Sequence, residues 1–258
     1  MNIHILGAHN CESQNSRLIS LLIDDTLAID AGGLTSSLSF SAQQKLKAIL
    51  LTHQHYDHIR DVPAIAMNFA LHGTRTTIKI YSIQSVYDTL ATHLLNGKLY
   101  PKFLEQPKGN PTIKFTLIEP YRAEQIEGYD ILAVSVNHTD PAVGYQITSP
   151  DGKIAFYTGD TGPGLAECWG YVSPQLLITE VTAPDRYEEF AKKKGHLTPS
   201  LLKEELMVFR ELKGYLPPVV VVHMNPRLEK EIETEIAVVA KALNNSIKMG
   251  YEGMQLNL

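Results

Sequence analysis

The sequence predicts an α/β fold in which short apolar strands alternate with helices and the second half repeats the style of the first. Two observations carry that expectation. Apolar runs of strand length recur along the whole chain, and several of them end in a histidine or an aspartate. The clearest case is the run Leu46 to Leu51, which leads into Thr-His-Gln-His-Tyr-Asp-His and delivers His53, His55, Asp57 and His58 in close succession. Neutral imidazole and carboxylate are the ligands a catalytic zinc or a similar ion takes, and a strand end presents them in a fixed fan above a sheet. The alternative is a solvated, polar loop that happens to be rich in histidine.

Taken in order, Asn2–Leu6, Ser16–Ile23 and Thr26–Asp30 read as strands. Asp24-Asp25 makes a tight hairpin turn between the last two, and Gly32-Gly33 ends the unit with residues that permit unusual backbone angles. Lys45–Leu51 reads as a buried strand. From Ile59 to Leu71, the residues Val62, Ile65, Ala66, Phe69 and Ala70 fall at helical spacing. Thr77–Tyr81 reads as a strand and Ser85–Leu95 as a helix. Asn96–Thr112, broken by Gly97, Pro101, Pro107, Gly109 and Pro111, is the longest irregular stretch. Such a loop either shapes a site or is a plain surface excursion.

In the second half Ile113–Ile118, Ile131–Val136, Val143–Thr148, Ile154–Thr158 and Leu176–Thr179 read as strands, with Pro150-Asp151-Gly152 as a turn. Thr198 can cap a helix for which Pro199 suits the first turn. Val219–Val222 is a buried strand and Glu229–Leu243 an amphipathic helix. No short-period repeat, low-complexity tract or linker divides the sequence, so a single domain over residues 1–258 is expected.

The net charge is −5, and the pI of about 6.1 does not suggest a binder of long nucleic acid, which favours a basic face. Cys11 and Cys168 lie far apart and in no metal-binding spacing, so neither a disulfide framework nor a cysteine ligand is expected. Met1 leads straight into a strand-like segment without a signal-peptide pattern, and no apolar stretch is of membrane-spanning length. The expectation is a soluble, cytoplasmic protein with no membrane partner.

Further ligand candidates stand where later strands end. His138 follows Ile131–Val136, Asp160 sits in Gly159-Asp160-Thr161-Gly162, and His223 terminates Val219–Val222. Alone, such an aspartate is a turn former and such a histidine a surface residue. Together with the first cluster they give five histidines and two aspartates, enough for two divalent ions that share a carboxylate.

At this point the chain resembles the metallo-β-lactamase superfamily, whose His-x-His-x-Asp-His motif stands at residues 53–58 and whose later motifs follow in the same order. The resemblance implies a four-layer αβ/βα sandwich, two mixed β-sheets flanked by helices, with the site along one edge where strand ends meet. By position, His53, His55 and His138 would hold one metal, Asp57, His58 and His223 the other, and Asp160 would bridge them. Asp30, in Leu27-Ala28-Ile29-Asp30, matches an early aspartate that orients a ligand histidine. Zinc is the first expectation for both ions, with manganese or iron as alternatives, because no cysteine favours a softer metal.

The superfamily cleaves lactams, thioesters, lactones and phosphodiesters, so the first motif does not fix the reaction. Glu180, then His196 in Gly-His-Leu-Thr-Pro, then His223 in His-Met-Asn-Pro, is similar to the phosphodiesterase branch containing ribonuclease Z, and closer still to class II cyclic-nucleotide phosphodiesterases. His196 would supply positive charge and a proton to the leaving oxygen, Glu180 would raise its pKa, and Asp57 would help orient a nucleophile acidified by both ions. Otherwise His196 is an exposed helix-start histidine and Glu180 an ordinary strand-end acid.

The expected substrate is a 3′,5′-cyclic nucleotide or a similar small phosphodiester. A tRNA 3′-processing endonuclease like ribonuclease Z is the alternative, as is a lactonase or thioesterase. Ribonuclease Z proteins commonly insert a tRNA-gripping arm between the third and fourth metal motifs. Here only Thr139 to Gly159 separates His138 from Asp160, which with the acidic balance favours a small substrate over RNA. Relatives in this branch often form homodimers.

His4, His9, His72 and His93 match no motif position and read as structural or surface residues. Lys192, Lys193 and Lys194 form either a solvated helix face or a lure for an anionic substrate. Asn10, Asn15 and Ser16 lie on a loop that borders the cleft in this superfamily.

Overall fold

A computed structural model describes residues 1–72 and 77–258, together with the backbone but not the side chain of His72. The strands are β1 (Asn2–Gly7), β2 (Ser20–Ile23), β3 (Leu27–Ile29), β4 (Ala48–Leu50), β5 (Ile78–Ser82), β6 (Ile113–Leu117) and β7 (Ala123–Ile126), followed by β8 (Tyr129–Ser135), β9 (Val143–Thr148), β10 (Ile154–Tyr157), β11 (Leu176–Glu180), β12 (Val219–Val222), β13 (Ile247–Met249) and β14 (Gln255–Asn257). The α-helices are α1 (Leu34–Ser37), α2 (Phe40–Gln43), α3 (Tyr56–Ile59), α4 (Val62–His72), α5 (Gln84–Thr89), α6 (Ala166–Tyr171), α7 (Glu188–Lys194), α8 (Pro199–Lys213) and α9 (Glu229–Leu243).

The strands form two mixed seven-stranded sheets, β14-β1-β2-β3-β4-β5-β6 and β13-β12-β11-β10-β9-β8-β7. Each sheet is antiparallel in one half and parallel in the other: β3 to β6 are parallel neighbours, as are β10 to β13. Alternation along the strands explains the layering. Ile3, Ile5, Leu21, Ile23, Leu27 and Ile29 join Ile131, Tyr145, Ile147 and Tyr157 in a core between the sheets. Leu22, Ala28, Ile49, Ile78 and Ile80 point the other way and pack with Val62, Ile65 and Phe69 of α4. Strands covered on both faces are apolar throughout, hence the uninterrupted runs. Helices α8 and α9 pack together, and α8 meets α6 on the other face of the second sheet, where Trp169 lies between Phe156 and Phe209.

Several elements differ from the sequence reading. Strand β2 begins at Ser20, because the Ser16 hydroxyl turns back to Ser13 and the Cys11 carbonyl and β1 bulges between Ile5 and Gly7. Strands β3 and β4 are also shorter than their apolar runs. Ala70 faces solvent on α4. Thr198 stands at the N-cap of α8, but its buried hydroxyl makes no cap bond and has no hydrogen-bond partner. The hairpin turn is as expected, with Asp24 and Asp25 both left-handed at φ 44° and 59°. The irregular stretch 96–112 packs Phe103, Tyr100 and Leu104 against the α4 side of the first sheet, and none of its residues lines the cleft described below. No helix among the described residues is long and apolar enough to cross a membrane, and both cysteines are free.

His9 is a buried anchor. Its Nδ1 lies 2.6 Å from Glu252 Oε1, and its Nε2 is 3.6 Å from Glu229 Oε2. Glu252 also accepts from the Arg17 amide at 2.8 Å, so it pins both ends of the loop between β1 and β2. Burial alone would lower the His9 pKa, but the hydrogen bond and charge of Glu252, with Glu229, raise it above its ordinary 6.5. Glu252 is held below its ordinary 4.5 by the same partner, against the opposing effect of its burial. The His9 contribution is therefore complete below about pH 6.5 and is lost as pH rises through its raised value, while the Glu252 contribution is lost as pH falls through its lowered value. Denaturant unfolding across pH should show wild type more stable than Glu252→Gln by about 1.5 kcal/mol near pH 6, with the gap closing toward pH 9. A pH-independent gap would remove the ion pair as its cause.

Candidate metal centre

Strand direction brings the seven candidate ligands together. β3 and β4 run parallel, β10, β11 and β12 run parallel, and β8 points the same way as β10 because each is antiparallel to β9. Their carboxyl ends meet at one edge of the sandwich, where open α/β sheets place ligands. Asp30 follows β3, His53 and His55 follow β4, His138 follows β8, Asp160 follows β10, and His223 follows β12. Asp57 and His58 sit on the short helix α3, so the first motif turns from strand end to helix within a few residues.

Three groups of potential ligand atoms result among the described residues, each with its members within 4.8 Å of one another. One holds His53, His55, His138 and Asp160, a second holds Asp57, His58, Asp160 and His223, and a third holds Glu180, His196 and His223. Asp160 is common to the first two. Its carboxylate lies 3.8 Å from His53 Nε2, 3.2 Å from His58 Nε2 and 3.4 Å from His223 Nε2. Asp57 lies 3.1 Å from His223 Nε2, and His138 Nε2 is 3.2 Å from His55 Nδ1.

The donor set fits divalent cations. His53 Nε2, His58 Nε2 and Asp160 Oδ1 are buried and have no hydrogen-bond partner, a costly arrangement that coordination relieves. The charge around them is also unbalanced, with Asp30, Asp57 and Asp160 converging on one buried pocket. His58 responds to that field: burial would lower its pKa, but Asp160, Asp30 and Asp57 raise it well above 6.5. Burial would raise Asp57, yet His58 and His223 pull it down to about 2. His53, desolvated and beside other histidines, is held neutral, the form that ligates.

An outer shell fixes each ring, and much of it was invisible in the sequence. Buried Asp30 accepts from the Thr52 amide at 2.9 Å, from the Thr52 hydroxyl, from Tyr157 at 3.2 Å and from His58 Nδ1 at 2.8 Å. Because the Thr52 proton points to Asp30, its oxygen is free to accept from His53 Nδ1 at 3.0 Å. A second relay repeats the pattern: Thr182 donates to Glu180 at 2.8 Å and accepts from His223 Nδ1 at 3.0 Å. The Gly195 carbonyl accepts from His138 Nδ1 at 2.8 Å. Gly195 has φ 68°, and a Cβ there would come within 2.9 Å of His138, so only glycine lets the α7 terminus approach. Thr52 and Thr182 carry a signal in hindsight, each placed beside a predicted acid or ligand.

Glu180 and His196 stand next to this centre. Glu180 is fully buried at the end of β11 and accepts from His196 Nδ1 at 2.7 Å and from the Thr161 amide at 2.9 Å. Burial opposes protonation of His196, but the Glu180 charge and hydrogen bond, with Asp160, push its pKa up to about 9. His196 stacks on His223 at 5.6 Å and its Nδ1 lies 4.0 Å from Asp160. Since Nδ1 is engaged by Glu180, this pair reads as an ion pair rather than a further cation site.

A cleft of about 780 Å³ opens beside His55 and His196. Tyr187, Phe190, Lys194 and Leu228 line it, together with Asn10 and Asn225. Of the three lysines on α7, Lys192 pairs with Glu188 on the outer face, whereas Lys194 lines the cleft. Asn10 borders it as expected; Asn15 and Ser16 instead line a separate hollow with His9 and Cys11. His93 is exposed and His4 half-buried on β1.

The fold and site define a metallo-β-lactamase sandwich, and residues 29–224 match the family model of the beta-lactamase superfamily domain. The chain belongs to that superfamily. It is similar to the 3′,5′-cyclic-nucleotide phosphodiesterase of Schizosaccharomyces pombe, 31% identical over 140 residues that cover 54% of this chain and 37% of that protein. It is also similar to ribonuclease Z of Pyrococcus furiosus, 27% identical over 115 residues covering 43% of this chain and 34% of that protein. The matches span about a third of the length of these curated relatives. The fold superposes on unliganded yeast PDE1 with a TM-score of 0.86 at 16% identity, covering 100% of this chain and 99% of that one.

The sharing of Asp160 makes a prediction about stoichiometry. After zinc loading and dialysis, elemental analysis should find about two ions per wild-type chain, about one in His138→Ala and fewer than one in Asp160→Ala. Two retained ions in a folded Asp160→Ala protein would contradict a shared carboxylate.

Proposed function

We propose that the protein is a metal-dependent phosphodiesterase acting on a small phosphodiester, first of all a 3′,5′-cyclic nucleotide. The observation that carries this reading is the Glu180–His196 pair at 2.7 Å, set against both ligand clusters. Two divalent cations, zinc in the first place, would be held by His53, His55, His138, Asp57, His58, His223 and the shared Asp160, and would supply Lewis acidity and an acidified water.

The remaining steps belong to the chain. Hydrolysis forms a bond from water oxygen to phosphorus and breaks the bond to the departing oxygen, which must gain a proton. His196 is suited to supply it, since Glu180 holds Nδ1 and keeps the ring cationic, leaving Nε2–H free to donate. Asp57 is a quarter exposed, so its carboxylate can face the water as well as the centre and accept its proton. The cationic His196 also offsets negative charge that grows on the phosphoryl oxygens.

The cleft supports a small, planar substituent. Tyr187 and Phe190 offer exposed ring faces, Lys194 offers a cation for a phosphate, and Asn10 and Asn225 offer amide edges for a heterocycle. Between His138 and Asp160 the chain forms only the β9–β10 hairpin, which leaves little for gripping a folded RNA. The similarity to ribonuclease Z keeps tRNA 3′ processing as the second reading. Cytoplasmic location and pairing into a homodimer complete the proposal.

Metal-loaded protein should hydrolyse bis(p-nitrophenyl) phosphate and cyclic nucleotides faster than precursor tRNA, lactones or thioesters when these are assayed side by side. His196→Ala should lower kcat about 10²- to 10⁴-fold while metal content stays at the wild-type value. Full turnover in that variant would dismiss the acid role. Phe190→Ala should raise KM for a cyclic nucleotide about three- to tenfold with kcat little changed, as loss of one ring contact implies. An unchanged KM would place the base elsewhere.

A further inference from the structure

The five clustered histidines are not oriented alike. His53, His58, His138 and His223 all have Nδ1 fixed by an acceptor, namely Thr52, Asp30, the Gly195 carbonyl and Thr182, and all turn Nε2 toward the centre. His55 is reversed. Its Nδ1 faces His138 Nε2 at 3.2 Å, and its Nε2 points outward to Asp140 Oδ2 at 2.9 Å.

A neutral imidazole has one N–H and one lone pair, so whichever nitrogen donates leaves the other to coordinate. An ionised carboxylate only accepts. We propose that Asp140 is a positioning residue that holds the proton of His55 on Nε2, and thereby frees Nδ1 to bind a divalent cation. The inference rests on the reading of His53, His55, His138 and Asp160 as one cation's ligands.

The backbone explains why Asp140 can do this. His138 and Asp140 share the short connection from β8 to β9, closed by the Val136 amide on the Ala142 carbonyl. A ligand histidine and the buttress of its neighbour are thus set two residues apart on one rigid turn, and Pro141 restricts the backbone just after the carboxylate. The pair lies at the mouth of the site, with His55 37% and Asp140 44% exposed as side chains. Neither side chain belongs to the hydrophobic core, so removing the carboxylate leaves the packing of the sheets intact. Its negative charge lies outside the seven ligands, yet it adds to the field that favours a cation at the histidines.

The test compares wild type, Asp140→Ala and Asp140→Asn as full chains. Zinc ion is titrated against a chromophoric chelator, and ring-nitrogen NMR of the metal-free proteins reports the His55 tautomer. Wild type should show His55 protonated on Nε2 and bind about two zinc ions. Asp140→Ala should weaken one of the two sites about 10- to 100-fold, leave the other unchanged, keep the wild-type Tm when metal-free, and lose the fixed Nε2–H signal. Asp140→Asn, whose amide oxygen still accepts, should recover most of that loss. Equal affinities and an unchanged tautomer in Asp140→Ala would overturn the inference and leave the metal reading standing. Failure of wild type to bind zinc at these histidines would overturn both.

Discussion

The site depends on one electrostatic constraint: carboxylates removed from water must be met by positive charge or by hydrogen-bond donors. Asp30, Asp160 and Glu180 are all essentially unexposed. Two of them are satisfied by the protein itself. Asp30 collects Thr52, Tyr157 and His58, and Glu180 collects His196, Thr161 and Thr182. Asp160 is different, because one of its oxygens meets only imidazole nitrogens and makes no hydrogen bond. The inner carboxylate is left for a cation, while the two flanking carboxylates act outward through threonine to hold the histidines in place.

The two relays divide the site by function. Asp30 and Thr52 serve His53 and His58, whereas Glu180 and Thr182 serve His223 and also hold His196. A change at Glu180 therefore reaches His223 and His196 together, through opposite oxygens of one carboxylate. His196 therefore cannot drift without disturbing the His223 ring it stacks on.

Much of this was legible in the sequence, for definite reasons. Buried parallel strands must be apolar on both faces, so Val219–Val222 and Ala48–Leu50 announce themselves, and a polar residue that breaks such a run marks the strand's carboxyl end. That is why His53, Asp160, Glu180 and His223 could be picked out as a set. The amphipathic helix Glu229–Leu243 was equally plain, its buried Ile232, Ile236 and Val239 falling on one stripe. Less legible were β7, β13 and β14, which lie at sheet edges and are only three or four residues long, too short for an alternating pattern to stand out. Of helix α7 only the face of Lys192, Lys193 and Lys194 could be read, and not its extent, because its charges mask a single buried contact at Ala191. Asp140, Thr52 and Thr182 escaped notice since their importance lies in the direction of one hydrogen bond, and residue type alone carries no such direction.

The last strand completes the sheet that the first one began. β14 pairs with β1, covering an edge that would otherwise stand open, and Met254 enters the layer between the sheets. A chain emerging from the ribosome must therefore expose nearly all of this sequence before β14 can cover that edge of β1. Until then the opening strand is an unprotected template for pairing with neighbouring polypeptides.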